Sequence, residues 1–168
     1  LIKFQNVKKI YPPDSYKMFI ALSYSNMNKD RTEKYYKAKQ QGYDLVSYVS
    51  SKCTYLSENP VGDNCFILED NTIQPFVKIG NNVTLWSGNH IGHESVIEDH
   101  CNITSHVVVS GHVHICSYCF IGVNATIRDN ITIAPETLIG AAALIIKDTI
   151  ERGVYKGNRA DPTKIRSD

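Results

Sequence analysis

All six histidines of this 168-residue chain fall between positions 90 and 114, and one of them, His93, is followed directly by a carboxylate, Glu94. Imidazole, with an ordinary pKa of about 6.5, exchanges protons near neutral pH. A carboxylate beside it fixes the ring tautomer and raises its basicity, as in general-base pairs. Metal binding is the competing chemistry, since His and Glu are also ligands for zinc. The two are told apart by how the fold spaces these side chains, so the elements that carry them come next.

A repeat of six residues governs the chain. From Val61 to Ile145 every sixth residue is Val, Ile or Leu, and Tyr55 and Val49 extend the series backwards, covering 49–150 without an insertion. The residue four places past each start is usually small, as at Cys53, Cys65, Ser95, Cys101, Ala125 and Ala143. A helix needs apolar spacing near 3.6 residues and a hairpin meander does not keep a strict six. The pattern predicts a mainly β fold, a parallel β-helix with three hexads per triangular coil and residues 18 apart stacked on each other. At about 4.8 Å per coil, nearly six coils give a prism roughly 27 Å tall.

On that prism His90 and His114 lie on outer strand faces, while His93, His100, His106 and His112 lie at corners. No two histidines are 18 apart; the one stacked His–carboxylate pair is Glu94 with His112, without a third ligand, so no metal site is expected. Gly111 lies one coil from His93, and its N–H has no side chain beside it. His93 would take a proton from an attacking amine or hydroxyl while that N–H holds an oxyanion, the parts needed to transfer an acyl group from a thioester. Cys53, Cys65, Cys101 and Cys119 occupy the small inward position, so packing is expected of them rather than redox or zinc chemistry.

Charge and flanks narrow the classes. Eighteen Lys and Arg against seventeen Asp and Glu leave a net charge of +1, which speaks against a nucleic-acid surface. No apolar run approaches the roughly 20 residues of a membrane span. Five cysteines at irregular spacing suit a reducing cytoplasm. The polar stretch after Leu1 predicts no signal peptide, and a start on Leu points to a missing N-terminal portion. Residues 1–48 form a partial α/β segment: a strand at Met18–Leu22, a helix at Asp30–Gln41 stopped by Gly42, and a strand at Asp44–Val49. Residues 49–150 form the β-helix, and 151–168 a basic, polar C-terminal tail.

The hexads, with Ile91-Gly-His-Glu-Ser-Val-Ile-Glu-Asp, Gly111 and Cys119-Phe-Ile-Gly-Val-Asn124, resemble the left-handed β-helix acyltransferases. Within these, the chain is similar to the nucleotide-sugar acetyltransferases of the bacillosamine and perosamine pathways and to NeuD-type sialic acid O-acetyltransferases, from about Tyr16 to Ala160. The resemblance implies a cytoplasmic homotrimer. It implies transfer of acetyl from acetyl-CoA to the amino group of a nucleotide-linked amino-deoxy sugar, for cell-surface polysaccharide such as lipopolysaccharide O-antigen. It makes residues 1–48 the end of a Rossmann-like sugar-nucleotide domain.

By position the resemblance makes His93 the base and Glu94 its partner, and sets the Gly111 amide on the acetyl carbonyl. Val123 and Ala141 would line the pantetheine channel, and Lys147 and Arg159 would meet CoA phosphates. A second histidine of the family, near the acetyl group, is Asn102 here, with His106 as a substitute on the substrate side. The family's closing Gly-x-Pro-Ala-Lys is Gly157-Asn-Arg-Ala-Asp, and its glycine-rich nucleotide turn is absent. Sugar O-acetylation by the same base is the near alternative. A non-catalytic β-helix used for oligomerisation and a zinc-dependent, carbonic-anhydrase-like β-helix are rivals of other classes.

Overall fold

A computed structural model describes residues 2–157. The hexads form a parallel β-solenoid whose strands are two residues long and whose three sheets have seven, six and four strands. Pairing runs at an unbroken register of 18: Phe66–Ile67 lies on Thr84–Leu85, which lies on Asn102–Ile103. Three interior columns result. Ile67, Leu85, Ile103, Ile121 and Ile139 stack in the seven-stranded sheet, Ile73, Ile91, Val109, Ile127 and Ile145 in the six-stranded one, and Ile79, Ile97, Ile115 and Ile133 in the four-stranded one. All are buried. Each residue is sealed by the coils on either side of it, so the short strands gain a core that none could bury alone.

The corners carry the conformational load. From Asn64 to Ala142 every sixth residue has positive φ, between 53° and 77°. Only one of these positions is glycine; Phe76, Glu94, His100, His106, His112 and Tyr118 adopt the same left-handed backbone. That conformation is costly for residues with a Cβ. It persists because from Asp70 to Ala142 the corner N–H groups are bonded to the coil before them, as His112 N–H donates to the His93 carbonyl oxygen at 2.9 Å. Cys65, Cys101 and Cys119 are buried, and each thiol donates to a carbonyl of the following coil, at 3.0–3.2 Å. All five cysteines are free thiols.

The flanks depart from expectation in three places. The first expected strand, Met18–Leu22, contributes a single parallel bridge, Met18 with Leu45. The second divides: Leu45 takes that bridge, while Tyr48–Val49 joins the solenoid on Phe66–Ile67. In the tail, Val154–Tyr155 pairs with Leu138–Ile139 and ends the seven-stranded sheet. The cause of the first two is tertiary. Phe19 packs on Phe66 and Ile20 N–H donates to Asn64 Oδ1 at 2.7 Å, so the segment lies across the prism rather than in a sheet of its own.

The helix, Lys29–Gln40, buries Arg31, Thr32, Tyr35 and Ala38 on one face. It seals a column of buried polar residues: Asn64 donates to Asn82, Asn82 meets His100 Nδ1 at 3.0 Å, and Tyr36 Oη meets His100 Nε2 at 3.2 Å. Asn28 Nδ2 donates to the His100 carbonyl at 2.6 Å.

His100 therefore lies beneath the helix rather than on the surface, and burial lowers its pKa, with Arg31 acting in the same direction and Asp99 and Asp63 against it. The unfolded chain takes up this proton near pH 6.5 and the docked form only at lower pH. Docking of the helix is then at full strength above about pH 6.5 and weakens as pH falls through that value. Hydrogen-exchange protection of the Lys29–Gln40 amides should drop between pH 7.5 and pH 5.5, relative to the solenoid strands. Equal protection at both pH values would contradict the assignment.

Candidate functional site

His93 and Glu94 occupy the corner between the six- and four-stranded sheets, and Gly111 and His112 the same corner one coil on. The left-handed residue of each turn, Glu94 and His112, turns its side chain onto the same ridge as His93. Glu94 Oε2 lies 3.2 Å from His93 Nδ1 and 3.0 Å from His112 Nε2. The two imidazoles meet edge to face, with centroids 5.0 Å apart. His93 is fixed from the other side as well, because its N–H donates to Gln74 Oε1 at 2.9 Å.

The other ring nitrogen of His93 faces Gly111. A Cβ built on Gly111 would stand 2.7 Å from Nε2, so only a residue without a side chain leaves room for the ring. With Nδ1–H given to Glu94, Nε2 keeps its lone pair and has no protein partner among the described residues. The result is a half-exposed proton acceptor held from behind.

The same corner offers an open donor. The first N–H of a turn is capped by a side chain at several corners: Asp63 by Asn81, Asn81 by Asp99, Ser117 by Glu98 and His93 by Gln74. Gln74 stands 19 residues before His93, and the residue 19 before Gly111 is Gly92, which has no side chain to cap with. The Gly111 N–H is left without an acceptor among the described residues. Ala141 is left bare in the same way by Gly122, and Val123 also has no cap.

The remaining candidates fall in different places. Lys147 stands in the His93 column, two coils beyond Gly111, exposed and without a salt-bridge partner among the described residues. Val123, Ala141 and His106 stand at the next corner, across the six-stranded sheet, where the His106 ring lies over Gly88 much as His93 lies over Gly111. Asn102 is on the seven-stranded sheet, the face opposite the His93 corner, and is buried. Arg159 lies outside the described residues. Sequence reasoning paired Glu94 with His93 and, one coil on, with His112, but did not single out Gln74 or Gly92 as part of the site. Each follows from counting 18 or 19 residues from a named one.

The expectation that Glu94 and His112 lack a third ligand needs correction. His93 joins them, and donor atoms of the three lie within 4.8 Å of one another, as do those of Glu98, His114 and Cys116. In both sets the carboxylate already has hydrogen-bonding partners. Glu98 takes His114 Nε2 at 2.7 Å together with the N–H and hydroxyl of Ser117.

The solenoid fold has counterparts among known proteins. The bacterial transferase hexapeptide (six repeats) family matches residues 61–93 and 76–111. The acetyltransferase domain of PglB from Neisseria gonorrhoeae superposes with a TM-score of 0.84 at 19% identity, over 95% of this chain and 76% of that one. PerB from Caulobacter crescentus, solved with CoA and GDP-perosamine, gives 0.82 at 18% identity, over 92% and 72%. WeeI from Acinetobacter baumannii gives 0.72 at 18%, over 76% and 62%. The chain is thus a hexapeptide-repeat β-solenoid, and shares its fold over nearly its whole length with the PglB acetyltransferase domain and PerB.

Replacing Gly111 with Ala should push the His93 ring off its position while leaving the solenoid intact, because the ring is the exposed end of a rotatable side chain. Thermal unfolding is expected to move by no more than about 1 kcal/mol equivalent. The side-chain NMR signals of His93 should shift. Unchanged His93 signals would show that the ring does not rest on Gly111.

Proposed function

We propose that the protein transfers an acetyl group from acetyl-CoA to the amino group of a nucleotide-linked amino-deoxy sugar, in the assembly of cell-surface polysaccharide. The observation that carries this reading is the free Nε2 of His93, held over Gly111 by the Nδ1–Glu94 contact and next to an uncapped amide. That is what acyl transfer from a thioester requires: a base for the incoming amine and a donor for the developing oxyanion. The CoA and nucleotide sugar bound in PerB, and the acetyl-CoA bound in the PglB domain, support the choice of substrates.

In this mechanism the acceptor nitrogen attacks the thioester carbonyl as His93 Nε2 removes its proton. The carbonyl oxygen becomes an oxyanion on the Gly111 N–H. Collapse breaks the carbon–sulfur bond, and the CoA thiolate recovers the proton from the imidazolium. Glu94 stabilises that imidazolium, and Gln74 and Gly92 respectively fix the base and leave the amide open. Lys147 serves the CoA phosphates, with Arg159 in the same role. The bare N–H groups of Val123 and Ala141 serve the pantetheine amides.

The split among the candidates supports a homotrimer. Asn102 faces away from the His93 corner of its own chain, so a site that uses both takes them from neighbouring copies. A left-handed solenoid, a cytoplasmic location and a Rossmann-like origin for residues 1–48 complete the reading. A purely structural β-helix has no need of a base, a carboxylate and an open amide on one ridge.

The test is thiol release from acetyl-CoA against UDP- and dTDP-linked amino sugars. His93→Ala should lower the rate by about 10²–10⁴-fold with the oligomer unchanged. Full activity in that variant would refute the assignment. His112→Ala, which leaves the His93–Glu94 contact in place, should retain most of it.

A further inference from the structure

Cys53, Cys65, Cys101 and Cys119 pack into the core, but Cys116 does not. It follows Ile115 on the four-stranded sheet. Ile115 is buried, so the alternation of a strand turns Cys116 outward together with His114. Cys119 is itself buried and its thiol donates to the Ala134 carbonyl, so the Cys-x-x-Cys spacing does not make a pair. The Cys116 carbonyl takes the Cys101 thiol, whereas the Cys116 thiol has no hydrogen-bond partner among the described residues.

The register of 18 supplies a third group. Ile97 lies on Ile115, so the residues after them, Glu98 and Cys116, stand on adjacent coils. Glu98 Oε1 is 2.7 Å from His114 Nε2. Its Oε2 takes the Ser117 N–H at 2.9 Å and the Ser117 hydroxyl at 2.8 Å. One carboxylate oxygen is thus anchored and the other is aimed at the imidazole. Donor atoms of Glu98, His114 and Cys116 lie within 4.8 Å of one another. A hollow of about 420 Å³, bordered by Lys78, Val96, Glu98 and Ser117, adjoins the carboxylate.

This set differs in kind from the His93–Glu94–His112 ridge. It contains sulfur, and its carboxylate is held by a serine rather than shared between two rings. One sulfur, one nitrogen and one oxygen suit zinc, whereas magnesium and calcium take oxygen ligands. Three protein ligands leave a fourth tetrahedral position for water. A thiolate and a carboxylate neutralise the ion; the Cys116 proton goes to solvent and His114 keeps its own on Nδ1. The Nε2–Oε1 separation has to widen to about 3.3 Å around a tetrahedral ion. The His114 side chain, 47% exposed, is free to turn that far.

We propose that Glu98, His114 and Cys116 bind a zinc ion that ties one coil of the solenoid to the next, with Ser117 holding the carboxylate in place. The site lies on the opposite edge of the four-stranded sheet from His93. The ion is therefore structural and takes no part in acyl transfer.

The experiment titrates the full chain, stripped with a chelator, with Co²⁺ followed by optical absorption and with Zn²⁺ followed by calorimetry. Cobalt should give a thiolate-to-metal charge-transfer band. Zinc should bind one ion per chain, displace the cobalt and raise the unfolding temperature. Cys116→Ser should abolish the band. Ser117→Ala, which removes one bond to the carboxylate, should weaken zinc binding about tenfold, and His114→Ala should weaken it further. His112→Ala should leave the band and the zinc affinity as they are, because it belongs to the other cluster. A cobalt spectrum without the thiolate band overturns the proposal. So does a band that survives in Cys116→Ser or is lost in His112→Ala, or an unchanged zinc affinity in His114→Ala.

Discussion

The backbone hydrogen bond from each coil to the next is the constraint on which everything else depends. It fixes the vertical spacing at about 4.8 Å and the register at 18 residues, with no freedom to slip. It also lets ordinary side chains sit at left-handed corners, because leaving that conformation would break a ladder bond on each side. Glu94 and His112 are such residues. Were they in extended backbone, their side chains would not share a ridge with His93. The proposed catalytic geometry is therefore a by-product of coil stacking, made specific by the few side chains placed on it.

Those side chains act mostly by being present or absent at an offset of 18 or 19. Gln74 caps one corner amide, and Gly92, one coil on, leaves the next uncapped. Gly111 has no Cβ, and the imidazole one coil back fills that space. The site keeps the Gly111 amide open, on a frame whose rigidity keeps the exposed donor in place. This is preorganisation in the sense that matters for an oxyanion: the dipole does not have to turn when charge develops.

Much of this was legible in the sequence, for a physical reason. The hexad is strict because the interior tolerates only aliphatic and small residues, and 18-residue arithmetic then converts sequence positions into neighbours. His93, Glu94 and Gly111 could be set together that way. The count stops at the edge of the prism. It does not reveal that the Met18–Leu22 segment, apolar enough for a strand, spends its backbone on Asn64 and the flank of the solenoid. Nor does it reveal that His100, at a corner like the other histidines, is covered by the helix and held by Asn82 and Tyr36. Asn102 is the instructive case: the family resemblance sets it by the acetyl group, whereas the triangular section puts it on the face away from its own His93. In the proposed homotrimer a contact between those two positions would belong to the assembly, and it would have no signature within one chain.

The central claim is that the Gly111 N–H and the His93 ring together receive the thioester. The most direct measurement is a crystal structure with acetyl-CoA bound. The thioester carbonyl oxygen should lie within hydrogen-bonding distance of the Gly111 nitrogen, about 3 Å, with the His93 ring beside the carbonyl carbon. Acetyl-CoA bound along another corner, with the Gly111 amide still open to water, would contradict the account.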